Sequence, residues 1–308
     1  MNAFDTPLRR SLLIVGGDAD PNITALLAAA ERSGVSYQKL LVGKSSHPSL
    51  TWDIGNGKLT LDDEPLECSA AFVRPDVFTA LSDGHASSQY RALAWHTALI
   101  GWLAAHPEVF IFNRRNLNHV TNKPHVLKLA QDCGLAVPQT LITNARESLA
   151  SFTSGVVKPI NGGGYCEPLA EALERTPVKD GRMPAPAIVQ QRLVPPEVRV
   201  YAIGDRYFAF NVSSPELDYR STQNCRVEST EVPGELTKGF GALLAMLGLD
   251  FAAADFKTCP DTGRLLFLEV NNGPMFAAFD RATNGELCLT MVQTLVKGTE
   301  RAATSANK

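Results

Sequence analysis

The stretch DFKTCPDTGRLLFLEVNNGP, Asp255 to Pro274, places two acidic residues and an amide in a pattern that predicts a β-hairpin. Its Pro-Asp-x-Gly order is a tight-turn signal, and the segments on either side are rich in strand-forming residues. With the turn centred on Thr262, Asp255 and Glu269 lie opposite each other in the ladder. Residues two apart in a strand share a face, so Asn271 joins these acids on one side of the hairpin.

The pairing of two acids predicts a bound cation. Like charges about 5 Å apart repel by roughly 3 kcal/mol at an effective dielectric of about 20, and a divalent ion would remove that cost. Carboxylate and amide oxygens are hard ligands, and all six histidines lie within the first 125 residues. Magnesium is therefore favoured over zinc.

Two alternatives to a metal site follow from the same hairpin. The spacing places Lys257 and Phe267 on the face of the acids, and Lys257 would then neutralise Asp255 while Glu269 is a solvated strand end. A one-residue bulge would instead put the two acids on opposite faces.

Three further features point to an anionic ligand. Lys158 ends the strand GVVKPI and is followed by the loop Asn161 to Gly164, whose backbone N–H groups are able to close over phosphates. Lys123 stands at the start of a helix, where the helix dipole favours a bound anion over a lysine. Glu197 and Arg199 share a strand face after a proline-rich crossover. The alternatives are a plain hairpin tip, an exposed loop lysine and a surface ion pair.

The N-terminal region predicts an α/β domain with a parallel sheet. SLLIVGG, NITALLAAAERSG and VSYQKLLVG read as strand, helix and strand, which is a βαβ unit. Neither G-x-G-x-x-G nor G-x-x-x-x-G-K-[ST] occurs, so dinucleotide binding of the Rossmann type and P-loop chemistry are not supported. We expect this first domain to close near Asn113.

Composition narrows the choice of partners. The chain has 308 residues, a net charge of −3 and a pI near 6.1, with no basic cluster for nucleic acid. No apolar run is long enough to span a membrane, and no signal sequence precedes the first strand. The six cysteines include no C-x-x-C pair, which indicates reduced thiols and a cytoplasmic location. Small molecules or a peptide are the expected partners.

Taken in order, Lys123, Lys158, the glycine loop, Glu197 and the acid hairpin resemble the ATP-grasp superfamily of carboxylate ligases. The resemblance runs from about residue 113 to about residue 280. It is strongest to the branch with the RimK-type glutamate ligases and the maturases that macrocyclise ribosomal peptides. It implies an ATP-grasp fold behind the N-terminal βαβ domain, divided as 1–113, a small lobe at 114–188 with the glycine-rich lid, and a large lobe at 189–308.

The resemblance also implies residue roles. The ATP phosphates would be bound by Lys123 and Lys158 and covered by Gly162, Gly163 and Gly164. The adenine would be lined by the backbone of Gln190, Gln191, Leu193 and Val194. Glu197 would bind the ribose. Two magnesium ions would be held by Asp255, Glu269 and Asn271. The catalytic residues facing the transferred phosphoryl group or the acceptor would be Arg199, Arg220 and Asn224.

Two positions depart from the family pattern. The crossover usually has a glutamate followed by an aromatic residue, where this chain has Gln191 and Arg192. Macrocyclases of this branch often carry two arginines before a proline in the first domain, and AFVRPDVF has only Arg74. The first departure argues against side-chain contacts to adenine of the usual family type. The second argues against a place among the macrocyclases but not against the superfamily.

The resulting hypothesis is an ATP- and magnesium-dependent ligase that joins a carboxylate to an amine, or to a hydroxyl, through an acyl phosphate. The rivals are a peptide macrocyclase, a kinase that uses the same nucleotide site, and a nucleotide-binding module without turnover. A homodimer is common among such enzymes.

Overall fold

The computed structural model describes residues 11–43, 48–76, 86–117, 122–152, 154–161, 165–217 and 224–306. The chain divides into two compact units, residues 1–118 with 275–308, and residues 119–274. This two-unit division differs in form from the three domains expected from the sequence, which stay a prediction. None of the helices in the described part of the chain combines the length and apolar character needed to cross a bilayer.

The first unit is built on the predicted parallel sheet. Its strands are β1 (Leu12–Gly17), β2 (Tyr37–Val42), β6 (Ala70–Val73) and β7 (Phe110–Ile111), in the order β2-β1-β6-β7. A separate antiparallel sheet in this unit consists of β3 (Leu50–Trp52), β4 (Leu59–Leu61) and β5 (Glu64–Pro65). The helices are α1 (Pro21–Ser33) and α2 (Ala86–Ala105), with α6 (Ala277–Ala282) and α7 (Glu286–Ala306) from the C-terminal part.

A buried polar network fastens the C-terminal part of this unit to its first helix. The Asp20 side chain caps α1 by accepting from the backbone N–H of Asn22, at 2.8 Å. The Asn22 side-chain oxygen in turn accepts from the backbone N–H groups of Phe276 and Ala277, at 2.6 and 2.8 Å. Arg74 donates to Asp20 at 2.8 Å, so the single arginine of AFVRPDVF takes part in this network.

The second unit contains two antiparallel sheets. The smaller has the order β10-β9-β11-β8, from β8 (Thr140–Ala145), β9 (Val156–Lys158), β10 (Glu167–Pro168) and β11 (Arg182–Gln190). The larger has the order β14-β13-β12-β15-β16, from β12 (Val194–Ile203), β13 (Arg206–Ser213), β14 (Arg226–Thr230), β15 (Phe251–Thr258) and β16 (Leu265–Asn271). The helices are α3 (Lys123–Asp132), α4 (Leu169–Arg175) and α5 (Gly234–Leu247).

One face of the larger sheet forms the main core of this unit with α3 and α5. Phe240 of α5 is fully buried and contacts Phe256 edge-on, with ring centroids 6.3 Å apart. Phe256 meets Phe267 across the hairpin at 5.7 Å in the same manner. Because strand residues alternate, the side chains next to these aromatics point to the opposite face.

The β15–β16 hairpin pairs Asp255 with Glu269, as predicted, although its register is not the simple one. Thr258 lies opposite Leu265, which centres the turn between Asp261 and Thr262 rather than on Thr262. Leu268 is an extra residue on β16, and this bulge shifts the register back before Glu269. The expectation that Phe267 shares the face of the acids is wrong, since the bulge places Phe267 opposite Phe256 in the core.

Candidate functional site

The outer face of the larger sheet carries a set of paired charges that we call the charged face: Glu197 and Arg199 on β12, Lys257 and Asp255 on β15, and Glu269 on β16. In the ladder, Glu197 lies opposite Lys257, and Arg199 lies opposite Asp255. Signs therefore alternate along β12 and β15 and across this pair of strands, whereas across β15 and β16 the acid Asp255 faces the acid Glu269.

Arg199 and Asp255 form the most deeply buried of these pairs. Both residues are 7% exposed, and a guanidinium nitrogen lies 3.3 Å from one carboxylate oxygen and 3.5 Å from the other. These distances exceed the 2.7–2.9 Å typical of a short charge-assisted hydrogen bond. The guanidinium carbon also lies 5.6 Å from the centre of the Tyr201 ring, which makes a cation–π contact.

Lys257 pairs with Glu197, with the ammonium nitrogen 3.0 Å from the carboxylate, and both side chains are largely buried. The alternative in which Lys257 neutralises Asp255 is therefore not what the structure has. Burial raises the pKa of the Cys225 thiol, and the nearby negative charge of Glu197 raises it further. Asn224 lies just before β14, which lies beside β13 in the larger sheet.

Lys123 brings the third positive charge to this face from the start of α3. Its ammonium nitrogen lies 3.5 Å from a Glu269 carboxylate oxygen. Asn122 caps the helix by accepting from the backbone N–H of His125 at 3.0 Å, which fixes where the helix begins. Lys123 is thereby placed beside one of the two acids of the hairpin.

Lys158 and Gln190 lie on one face of the smaller sheet. Lys158 lies opposite Ile188, and Ile188 shares a strand face with Gln190, two residues later. Val189, between Ile188 and Gln190, points to the other face and packs in the core of that sheet. The Gln190 amide nitrogen donates to the Thr140 hydroxyl at 3.0 Å. Within the described residues, no ion pair joins Lys158 to an acid of the charged face.

The crossover between the two sheets is fastened to the turn of the acid hairpin. The Gln191 side-chain nitrogen donates to Asp261 at 3.1 Å and lies 3.8 Å from the Cys259 sulfur. Leu193 packs with Cys259 and Leu266 in a small cluster. Hydrogen bonds from the Thr262 side chain and the turn backbone lower the pKa of the Cys259 thiol. The family pattern has a glutamate where this chain has Gln191, and a glutamate at this position would place its negative charge beside that of Asp261.

The residues proposed to hold magnesium offer a suitable donor set. Asp255, Glu269 and Asn271 project from neighbouring strands onto one face, because Asn271 lies opposite Ala253, two residues before Asp255. Their oxygens are the ligands that magnesium prefers. No cluster of three or more histidine, cysteine, aspartate or glutamate side chains suited to a metal occurs in the described part of the chain. The proposed donor set consists of two acids and one amide.

Four predicted site residues fall outside the described ranges: Arg220 and the three glycines Gly162, Gly163 and Gly164. Sequence reasoning missed two features of the site. The ion pair of Lys257 with Glu197 could not be predicted, because Lys257 has two acids within reach on its own face. The contact of Gln191 with Asp261 could not be predicted either, because it joins positions 70 residues apart. The register of β12 against β15 is the signal that would have found the first.

Comparison with known proteins gives the fold. A scan against family models finds no match, and a search of curated proteins finds none either. Among solved structures, the ATP-grasp ligase PsnB complexed with minimal precursor is 24% identical, with 93% of this chain and 100% of that chain covered and a TM-score of 0.72. PsnB complexed with minimal precursor, Mg and ADP gives 22% identity, coverage of 92% and 98%, and a TM-score of 0.69.

The similarity extends to a second protein that was solved with a precursor peptide. Macrocyclase MdnC from Microcystis aeruginosa MRC, bound with precursor peptide MdnA, is 21% identical, with 93% and 99% of the two chains covered and a TM-score of 0.68. The chain therefore has the ATP-grasp fold, and the fold expected from the resemblance is confirmed.

Proposed function

We propose that this chain is an ATP- and magnesium-dependent ligase that joins a carboxylate to an amine through an acyl phosphate. The observation that carries the proposal is the pairing of Asp255 with Glu269, with Asn271 on the same face, in a chain with the ATP-grasp fold. That PsnB has been solved with Mg and ADP supports the same choice of nucleotide and metal.

The nucleotide would be held by charges on both sheets. Lys123 and Lys158 would neutralise its phosphates, and the loop from Gly162 to Gly164 would cover them. The segment from Gln190 to Val194 would line the adenine, and Glu197 would accept hydrogen bonds from the ribose. Magnesium held by Asp255, Glu269 and Asn271 would neutralise phosphate oxygens when bound.

The reaction would take place in two balanced steps. A substrate carboxylate oxygen attacks the γ-phosphorus while the bond to the β-phosphate oxygen breaks, giving an acyl phosphate and ADP. The amine nitrogen then attacks the acyl carbon, the carbon–oxygen bond to phosphate breaks, and the amine loses a proton as phosphate leaves. Arg199, Arg220 and Asn224 would stabilise the oxyanion that forms at the carbonyl.

The substrate is best sought among peptides. PsnB and MdnC were solved with precursor peptides, and the second is a macrocyclase. A peptide macrocyclase, which forms ester or amide bonds between side chains, is therefore the second candidate. The D-cycloserine synthetase DcsG is also similar, with 16% identity, coverage of 94% and 99% and a TM-score of 0.58. Amino acids are therefore tested as substrates beside peptides.

An ADP-release screen tests the proposal. The protein is incubated with ATP, magnesium and pools of amino acids, dipeptides and precursor-like peptides rich in Asp, Glu, Thr or Lys, and products are analysed by mass. We expect ADP release with a product that has lost one water per condensation. A stable phosphorylated product would identify a kinase, and nucleotide binding without ADP release would identify a non-catalytic module.

A further inference from the structure

Lys257 is the one basic residue of the charged face to which the proposed function gives no role. Its ammonium nitrogen lies 3.0 Å from Oε2 of Glu197, and the two side chains are only 14% and 16% exposed. A largely buried ion pair restricts the rotamers of both side chains more than a solvent-exposed pair does. The Glu197 carboxylate is therefore held at a fixed place on the face.

The backbone on either side of Glu197 explains why a side-chain contact is needed there. The ladder between β12 and β15 is irregular between Val194 and Glu197, where Pro195 and Pro196 supply no N–H groups. The Thr258 hydroxyl donates to the Pro196 carbonyl at 3.0 Å and closes this gap. Glu197 is thus the first residue of β12 after a bulge, a place where side chains are commonly re-aimed.

The arrangement also settles which acid Lys257 serves. Asp255 lies two residues away on the same strand face and is an alternative partner, but Arg199 is opposite Asp255 and lies 3.3 Å from it. The positive charge of Lys257 is consequently directed to Glu197, and the carboxylate proposed to bind metal does not receive it. One carboxylate oxygen of Glu197 contacts Lys257, and among the described residues no side chain bonds to the other oxygen, Oε1, which can accept from a ligand.

We propose that Lys257 is a positioning residue that holds the Glu197 carboxylate toward a ribose hydroxyl and thereby sets selectivity for ribonucleotides over deoxynucleotides. The inference rests on the proposed function, because it takes ATP as the ligand. The ion pair between Lys257 and Glu197 orients Oε1, and the ribose hydroxyl donates to this oxygen.

The test is equilibrium binding measured by calorimetry, with magnesium and with ATP, 2′-deoxy-ATP or 3′-deoxy-ATP. For the wild-type protein, the analogue that lacks the bound hydroxyl should bind about 10-fold more weakly than ATP, as a hydrogen bond to a charged acceptor implies. Lys257→Met should weaken ATP binding by about 10-fold but that analogue by less than about 3-fold. Lys257→Arg should keep most of the discrimination.

Lys128→Met is the matched control, because Lys128 pairs with Asp132 in the same unit but both side chains lie in solvent. It should leave the discrimination unchanged. If Lys257→Met discriminates against the deoxy analogue as strongly as the wild type, the positioning role is wrong while the proposed function stands. Binding of ATP without discrimination in the wild type would overturn the ribose role of Glu197 and this inference together, and absence of ATP binding would overturn the proposed function itself. Glu197→Gln gives a second readout, since adding Lys257→Met to it should change discrimination no further.

Discussion

Burial separates the ion pairs of the larger sheet into two kinds. Arg199 and Asp255 are both more than nine-tenths buried, whereas Arg226 and Glu228, on β14 of the same sheet, lie in solvent. A buried charge that loses its partner bears the full cost of desolvation, while an exposed charge is rehydrated at once. Residues of like chemistry in one sheet should therefore respond very differently to the same substitution.

Replacing Arg199 by methionine should lower the free energy of unfolding by about 3–5 kcal/mol, because Asp255 would remain buried without its guanidinium partner. Arg226→Met should cost less than about 1 kcal/mol. Urea denaturation of the two variants beside the wild type measures the difference. Equal losses would show that Asp255 does not depend on Arg199.

The turn signal and the alternation of residues in DFK and FLEVN predict that Asp255 faces Glu269, and the structure has this pairing. The base that each acid contacts was not predictable in the same way. Lys257 is equally placed in sequence to reach either acid of its face, and the choice of Glu197 depends on the register of β12, which the sequence of the hairpin does not contain.

The acid hairpin has the predicted pairing of Asp255 with Glu269, but its turn and its bulge are not evident from its sequence. The turn centre lies half a residue before Thr262, and the bulge at Leu268 compensates for it. A bulge of one residue depends on packing against neighbouring elements, here the burial of Phe267 beside Phe256. Pattern reasoning therefore gave the right acids and the wrong face for Phe267.

The close approach of α5 to the end of α3 gives a prediction about this scaffold. A Cβ atom at Gly239 would lie 2.8 Å from a methyl carbon of the buried Leu135 and 3.2 Å from the Cys133 carbonyl oxygen, whereas a Cβ at Gly234 would meet nothing. Gly239→Ala should destabilise the protein by about 1–3 kcal/mol despite the better helix propensity of alanine. Gly234→Ala on the same helix should be neutral or stabilising. Thermal unfolding measures both, and a stabilising Gly239→Ala would contradict the packing.

The ATP-grasp fold was predictable from the sequence, because the ordered motifs span more than half of the chain. The return of the C-terminal helices to the first unit was not. It depends on Asn22, whose oxygen accepts from residues 254 and 255 positions later, and no local pattern marks such a contact. The three-domain division from the sequence stays a prediction.

Thiol burial in the first unit predicts how stability depends on pH. Burial raises the pKa of Cys68 from 9.0 to about 12, and it also raises the pKa of Cys288. Below pH 9 the thiols are protonated in both states and contribute no slope. Above it the unfolded chain binds fewer protons than the folded one, so stability should fall by about 1.4 kcal/mol per pH unit for each thiol.

Urea denaturation between about pH 8 and pH 10.5 checks this dependence. Cys68→Ala should make the decline above pH 9 shallower by the share of one thiol, whatever its effect on stability at neutral pH. An unchanged slope in Cys68→Ala would show that this thiol is not held in its protonated form by the fold.

Calorimetry of ADP binding with and without magnesium shows whether the acid hairpin binds the metal of a bound nucleotide. We expect magnesium to strengthen ADP binding to the wild-type protein by at least about 10-fold, and Glu269→Gln to remove most of that gain. Glu228→Gln, which changes an exposed acid of the same sheet, should leave it intact. A gain from magnesium that is equally large in Glu269→Gln and in the wild type would show that Glu269 does not bind the metal.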